Sequence, residues 1–178
     1  MRAPADADRV RRFMQALGGR SRGPGTVFFT GGASAVLIGW RQSTVDIDVK
    51  LDPEPAGAFE AIAALKDELD LNVELAAPDQ FLPPLPGWRE RSVFIERQGG
   101  VDFFHYDFDA QALAKIDRGW EQDLEDAREM VARRLVVPAR LVEQLRAIES
   151  DLLRYPQVDP ATLRERVSSF VARNQGPA

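Results

Sequence analysis

Asp46 and Asp48 stand two apart in the run VDIDVKL, residues 45–51, whose apolar and polar positions alternate as in a strand. In that conformation Val45, Ile47, Val49 and Leu51 face a core, and Asp46, Asp48 and Lys50 face the other way. The two carboxylates are then roughly 6.5–7 Å apart at the backbone, from the rise of a strand. Like charges so placed on a half-buried face repel and lose hydration. A divalent cation between them reverses the balance, and Mg²⁺ takes one or two carboxylates together with phosphate oxygens. Shortly before them comes Gly31-Gly32. A strand that ends in two glycines and turns into a helix presents backbone N–H groups without side-chain obstruction. With the Ser34 hydroxyl, and with Arg41 in the following loop, those groups can hold a triphosphate. Phosphate and metal side by side suit in-line attack on an α-phosphate, with pyrophosphate leaving.

The elements that must position these residues are legible along the chain. An amphipathic helix is expected over 6–17, from Val10, Phe13, Met14 and Leu17 at helical spacing. The following GGRSRGPG reads as a loop. A buried strand at 27–30, the glycine turn, a short helix at 33–40, a loop at 41–44 and the strand 45–51 come next. A helix over 55–69 with Pro55 in its first turn precedes a strand at 72–76 and a proline-rich loop at 78–88. Residues 92–97 and 101–106 flank Gln98-Gly99-Gly100 as a hairpin. Helices follow near 109–117, 120–135, 138–153 and 160–173, and the tail 174–178 is expected to fray. Strands mixed with helices, then a run of helices, indicate an α+β fold: a small mixed sheet flanked by helices, with a helical C-terminal part. The division expected is a core over 1–136 and a helical extension over 137–178.

Composition narrows the chemistry. The chain of 178 residues has no cysteine and one histidine, His105. That excludes disulfides, thiolate zinc sites, a cysteine nucleophile and a multi-histidine metal cluster. No apolar run approaches a membrane span and no signal peptide is visible, so a soluble cytoplasmic protein is expected. The net charge of −5 divides unevenly: residues 1–25 carry +4, 26–127 carry −12 and 128–178 carry +3. An acidic centre between basic ends suits cation chemistry with a polyanion held at the edges, although solvated helix faces give the same pattern.

GGASAVLIGWRQSTVDIDV resembles the signature of the nucleotidyltransferase superfamily, the DNA-polymerase-β-like palm. The wider stretch, roughly 26–135, is similar to small bacterial nucleotidyltransferases related to the AbiEii and MenT toxins. QALAKIDRGWEQDLEDAREM supports this with a lysine on a helix and then a stretch like Arg/Lys-Asp-x-x-Asp, in which Gln122 stands where the base is usual. The resemblance implies Asp46 and Asp48 as metal ligands, Gly31, Gly32 and Ser34 as the phosphate cradle, and Lys115 and Asp123 completing the nucleotide site. It also implies a third carboxylate, for which Asp102 is the first candidate and Asp107 the second. The implied activity is Mg²⁺-dependent transfer of NMP from NTP to the 3′ end of tRNA, by the toxin of a toxin–antitoxin pair with an antitoxin protein as partner. Nucleotidylation of a protein hydroxyl is one alternative, and a non-catalytic nucleotide- or partner-binding module is another.

The remaining residues divide between chemistry and structure. Lys115 is one of three lysines among twenty arginines, which suits a compact ammonium on phosphate. Asp123 and Asp126 are three apart and share a helix face. His105 is expected to be a hydrogen-bonded structural residue, and Phe103, Phe104, Tyr106 and Phe108 core rather than a base-stacking platform. Modification of Ser43 or Thr44 would bring negative charge beside Asp46 and block NTP entry. FLPPLPGW reads as a stiff connector or a docking strip, and the terminal arginines as a means of steering RNA.

Overall fold

The computed structural model describes residues 2–175. Along the chain run α1 (Ala7–Arg20), β1 (Gly25–Thr30), α2 (Gly31–Ile38), β2 (Asp46–Leu51) and α3 (Ala58–Glu68). Then come β3 (Asn72–Leu75), α4 (Trp88–Arg91), β4 (Val93–Gln98) and β5 (Val101–His105). The helices α5 (Phe108–Arg118), α6 (Glu121–Ala132), α7 (Pro138–Ile148) and α8 (Pro160–Asn174) follow. Two units form: Met1–Ala77 with Ser92–Tyr106, and Pro78–Arg91 with Asp107–Ala178. All five strands lie in the first, whereas α5 and α6 fall in the second with α7 and α8. The last three residues of the expected frayed tail lie outside the described residues. Among the described residues no helix is long and apolar enough to cross a membrane.

The first unit is built on one mixed sheet of order β3-β2-β1-β5-β4. β1 pairs antiparallel with β2 and parallel with β5, β2 parallel with β3, and β4 antiparallel with β5. One face carries Val27, Phe29, Ile47, Val49, Val73, Val101 and Phe103, all buried with the apolar sides of α1 and α3. The expected α+β class, a small mixed sheet with flanking helices and C-terminal helices, is what forms.

Asp6 caps α1 by accepting from the Arg9 N–H at 2.9 Å. The helix runs past its expected end through Gly18-Gly19. A Cβ on Gly18 would lie 2.4 Å from the Gln98 carbonyl oxygen, so Gly18 permits a close approach to the hairpin rather than a turn. β1 passes into α2 without a loop, through Gly31 at φ +58°. Val45, expected on the core face, is 57 % exposed and precedes β2; Thr44 beside it is held by backbone bonds to Ala5.

Gly32 is required by space. A Cβ there would fall 2.0 Å from Thr44 Oγ1 and 2.7 Å from Thr44 Cβ. Gly32→Ala is therefore expected to destabilise the protein by about 2–3 kcal/mol. Adding Thr44→Gly should recover part of that loss in urea unfolding, whereas adding Thr44→Ser should not.

In the second unit, Asp107 and Asp159 cap α5 and α8, Pro138 and Pro160 open α7 and α8, and Gly119 at φ +71° closes α5. Leu113, Ile116, Met130, Leu141, Leu145, Leu163 and Val167 are buried. The proline-rich loop is a packed part of this unit: Leu82 and Leu85 are buried, and Tyr155 donates to the Asp79 carbonyl at 3.2 Å.

Candidate functional site

In the first unit the sheet face opposite the helices carries the acidic residues. Ile47 and Val49 are fully buried while Asp46 and Asp48, which alternate with them, are half-buried, as a strand requires. β3 lies beside β2 with Asn72 opposite Asp46 and Glu74 opposite Asp48. Asn72 Nδ2 donates to Asp46 Oδ1 at 2.5 Å and to Glu74 Oε1 at 3.2 Å. Three carboxylates and one amide thus share the ends of two neighbouring strands, and Glu74 is exposed. On the other side of β2, Thr30 at the end of β1 is opposite Asp48. The next residue is Gly31, where a Cβ would come to 3.2 Å from Asp48 Oδ2. The glycine turn and the carboxylate pair are therefore neighbours in space.

Ser34 does something other than expected. It is fully buried on α2, donates to the Phe29 carbonyl at 3.2 Å, and lies 2.9 Å from His105 Nδ1. With the hydroxyl proton given to Phe29, Nδ1 is the donor to Ser34 Oγ. The side chain ties β1, α2 and β5 together. His105 is buried and hydrogen-bonded, as its setting near a strand end suggested. Burial lowers its pKa from 6.5 to about 4, so the fold keeps the ring neutral where the unfolded chain would protonate it. The unfolded state then binds more protons between those two values. This contribution is complete above pH 6.5 and lost as pH falls toward 4, by on the order of 3 kcal/mol. His105→Gln should flatten that part of the stability profile, measured by urea unfolding between about pH 7 and about pH 5. Parallel losses in both proteins would exclude the assignment.

Asp102 does not join the acidic cluster. It is opposite Thr26, at the start of β1, whereas Asp48 is opposite Thr30 at its end. Four residues of strand separate them, about 13 Å along β1. Asp102 is instead held by Arg97 through two hydrogen bonds, at 2.6 and 2.9 Å, and these bonds keep its carboxyl below the usual range. Glu74 lies on β3, the strand that neighbours β2, opposite Asp48. The signal was present in the sequence: Asn72-Val73-Glu74-Leu75 alternates, and a strand–helix–strand crossover after β2 returns a parallel partner.

Arg41 follows α2, and its backbone N–H reaches the Ala35 carbonyl at 3.4 Å. Ser43 is exposed, whereas Thr44 is buried and donates through Oγ1 to the Asp46 carbonyl at 2.9 Å.

Lys115 and Asp123 belong to the second unit. The Lys115 ammonium is buried and donates to Asp123 at 3.0 Å and to Asp126 at 2.6 Å. Arg118 adds two hydrogen bonds to Asp123, at 2.9 and 2.5 Å. Burial pushes the Asp123 carboxyl up, but Arg118 and Lys115 outweigh it and the net shift is downward. Gly119 breaks the helix as expected, and α6 returns beside α5 so that both aspartates meet the lysine. Two of the ammonium's three N–H groups are thereby engaged by carboxylates. Asp107 is buried on Arg91, at 3.1 and 2.7 Å, and caps α5.

The donors on the sheet face are all oxygen, which fits a hard divalent cation. Among the described residues no group of three or more His, Cys, Asp or Glu side chains is arranged to hold a metal. Asp46 and Asp48 would therefore share such an ion with phosphate oxygens and water. No curated protein and no solved structure matches the chain. A model of the family described as a nucleotidyltransferase of unknown function (DUF6036) matches residues 8–156. That span includes all five strands, the glycine turn and both aspartates of β2, and the chain belongs to this nucleotidyltransferase family.

Proposed function

We propose that the protein transfers NMP from NTP to an acceptor hydroxyl with Mg²⁺ as cofactor. The observation that carries this reading is Gly31 at the end of β1, set against the Asp48 carboxylate with Asp46 on the same face. Backbone N–H groups at the start of α2 hold the triphosphate, and Arg41 contributes charge from the following loop. Asp46 and Asp48 hold the cation, which when bound neutralises charge on the triphosphate and the leaving pyrophosphate. Asn72 fixes the Asp46 carboxylate. Glu74, opposite Asp48, takes the proton from the acceptor hydroxyl. The hydroxyl oxygen forms a bond to the α-phosphorus, the α–β phosphoanhydride P–O bond breaks, and pyrophosphate leaves with the bonding electrons.

The biological part of the reading rests on the likeness of the glycine and aspartate motifs to AbiEii- and MenT-type toxins. It makes the tRNA 3′ end the acceptor, an antitoxin protein the partner and the cytoplasm the place of action. The test is transfer of α-labelled nucleotide, with each NTP, Mg²⁺, total tRNA and cell extract, resolved on one gel. Label on tRNA is expected. Label on polypeptide would replace the acceptor but keep the chemistry, and no label under any condition would refute the enzyme.

Glu74→Gln is expected to lower turnover by about 100- to 10,000-fold with NTP binding retained. Equal turnover in a single-turnover assay would remove Glu74 from the reaction.

A further inference from the structure

The second unit contains a cavity of about 490 Å³ that the proposed chemistry does not use, between α5, α6 and α8. Ile116, Leu124 and Phe170 form its apolar floor, and Arg128, Arg166 and Arg173 stand on its walls. Ile116 and Phe170 are buried whereas the three arginines are exposed, so guanidinium groups ring an apolar base. Arg166 is held in place: it donates to the Asp117 carbonyl and lies across Gly119, where a Cβ would come to 3.3 Å from its Cζ. Beside Gly119 in the chain, Trp120 is 69 % exposed, with the Arg118 guanidinium 5.5 Å from its ring centre.

Four carboxylates of this unit, Asp107, Asp109, Asp123 and Asp126, are buried on Arg91, Arg140, Lys115 and Arg118. They do not counter the wall of the groove. Glu165 lies in it, and Glu121 pairs with Arg128 at 2.7 Å on the surface, where such pairs are weak. Asp117 lies near Arg166 as well, and within the lining itself three arginines stand against one glutamate, in a chain of net charge −5.

We propose that this groove binds single-stranded nucleic acid, with phosphates on Arg128, Arg166 and Arg173 and a base on Trp120. An apolar floor, clustered guanidinium groups and an exposed indole match a strand that offers alternating phosphates and flat rings. An acidic peptide would satisfy the arginines and leave the indole and the floor unused. The inference stands apart from the transfer reaction, since binding here needs neither NTP nor the β2 carboxylates.

The test is fluorescence anisotropy with labelled twelve-nucleotide RNA and DNA strands, on the full chain and without NTP or Mg²⁺. Wild type, Asp46→Ala/Asp48→Ala, Arg128→Gln/Arg173→Gln and Trp120→Ala are compared, with circular dichroism to check folding. The acidic-site variant should bind as wild type does. Trp120→Ala should weaken binding about 5- to 150-fold, as for loss of one stacked base. Arg128→Gln/Arg173→Gln should reduce the slope of log affinity against log salt by about 1.4, near 0.7 for each phosphate contact. RNA above DNA, or DNA above RNA, would tell which strand is the natural one, and equal binding would make the sugar irrelevant. No binding of either strand by about 100 µM, the weak edge of ordinary non-specific affinity, would overturn the proposal. So would groove variants that bind as wild type does, or a glutamate peptide of equal charge that binds as tightly as the strands. Failure here with label transfer intact would leave the first unit's chemistry standing, and the reverse result would do the opposite.

Discussion

Replacing Asp46 and Asp48 together by alanine is expected to reduce nucleotide transfer at least about 1,000-fold and to leave the melting temperature unchanged or slightly higher. The two halves of this expectation have one cause. The side chains sit on the same face of β2, half-buried, with Glu74 opposite Asp48. Without a cation they repel and are only partly hydrated, so folding gains little from them. Removing them takes away that repulsion, at the cost of the Asn72 bond to Asp46 and of the interactions Asp48 makes within the fold. Steady-state transfer and a thermal melt on the same preparation check both halves. A large fall in melting temperature would mean that the pair serves structure instead.

Lys115→Ala should show the opposite pattern, with a loss of stability of about 3–5 kcal/mol. The ammonium is the cation that both Asp123 and Asp126 share, and each aspartate is at most 5 % exposed at its side chain. Arg118 still serves Asp123 after the change, but Asp126 keeps a buried charge without that ammonium. For a chain of this size such a loss lowers the melting temperature by about 6–20 °C. Lys115→Met with Asp126→Leu should recover most of it, because replacing both partners by apolar groups of similar volume removes the buried charge. A Lys115→Ala protein that melts like wild type yet fails to transfer would instead assign the ammonium to the nucleotide.

These two sites show how far the sequence could be read. The Asp46–Asp48 face was legible because strand alternation is local: with Ile47 and Val49 inward, the aspartates must face away. The glycine turn was legible because two glycines after an apolar run have few other uses. What was not legible depends on partners distant in sequence. Ser34 follows the glycines as a phosphate ligand would, yet its hydroxyl is taken by Phe29 and His105, the latter seventy-one positions away. Gly18-Gly19 resembles a loop until Gln98 packs against it. Asp102 lies on a strand next to β1, but its distance from Asp48 is set by strand order and by the register of two pairings, Thr26 with Asp102 and Thr30 with Asp48, which join residues distant in sequence. Glu74 is legible only in two steps. The alternation of Asn72–Leu75 marks a strand, and the crossover from β2 must then be drawn as a parallel pair before the acid comes to lie opposite Asp48. Lys115 was read for chemistry because lysine is rare in this chain; its burial between two aspartates required α6 to return beside α5.

Gly31 connects the turn to the acids, and its backbone at φ +58° is one that a residue with a Cβ adopts at a cost of about 1–2 kcal/mol. What the glycine turn and the β2 acids are proposed to hold can be measured without knowing the acceptor. Calorimetric titration of each NTP into wild type and Asp46→Ala/Asp48→Ala, with Mg²⁺ and with EDTA, isolates that step. Binding that needs Mg²⁺ and is lost in the double variant is the expected result. NTP binding of equal strength in EDTA, or in the double variant, would contradict a cation–triphosphate site on β2.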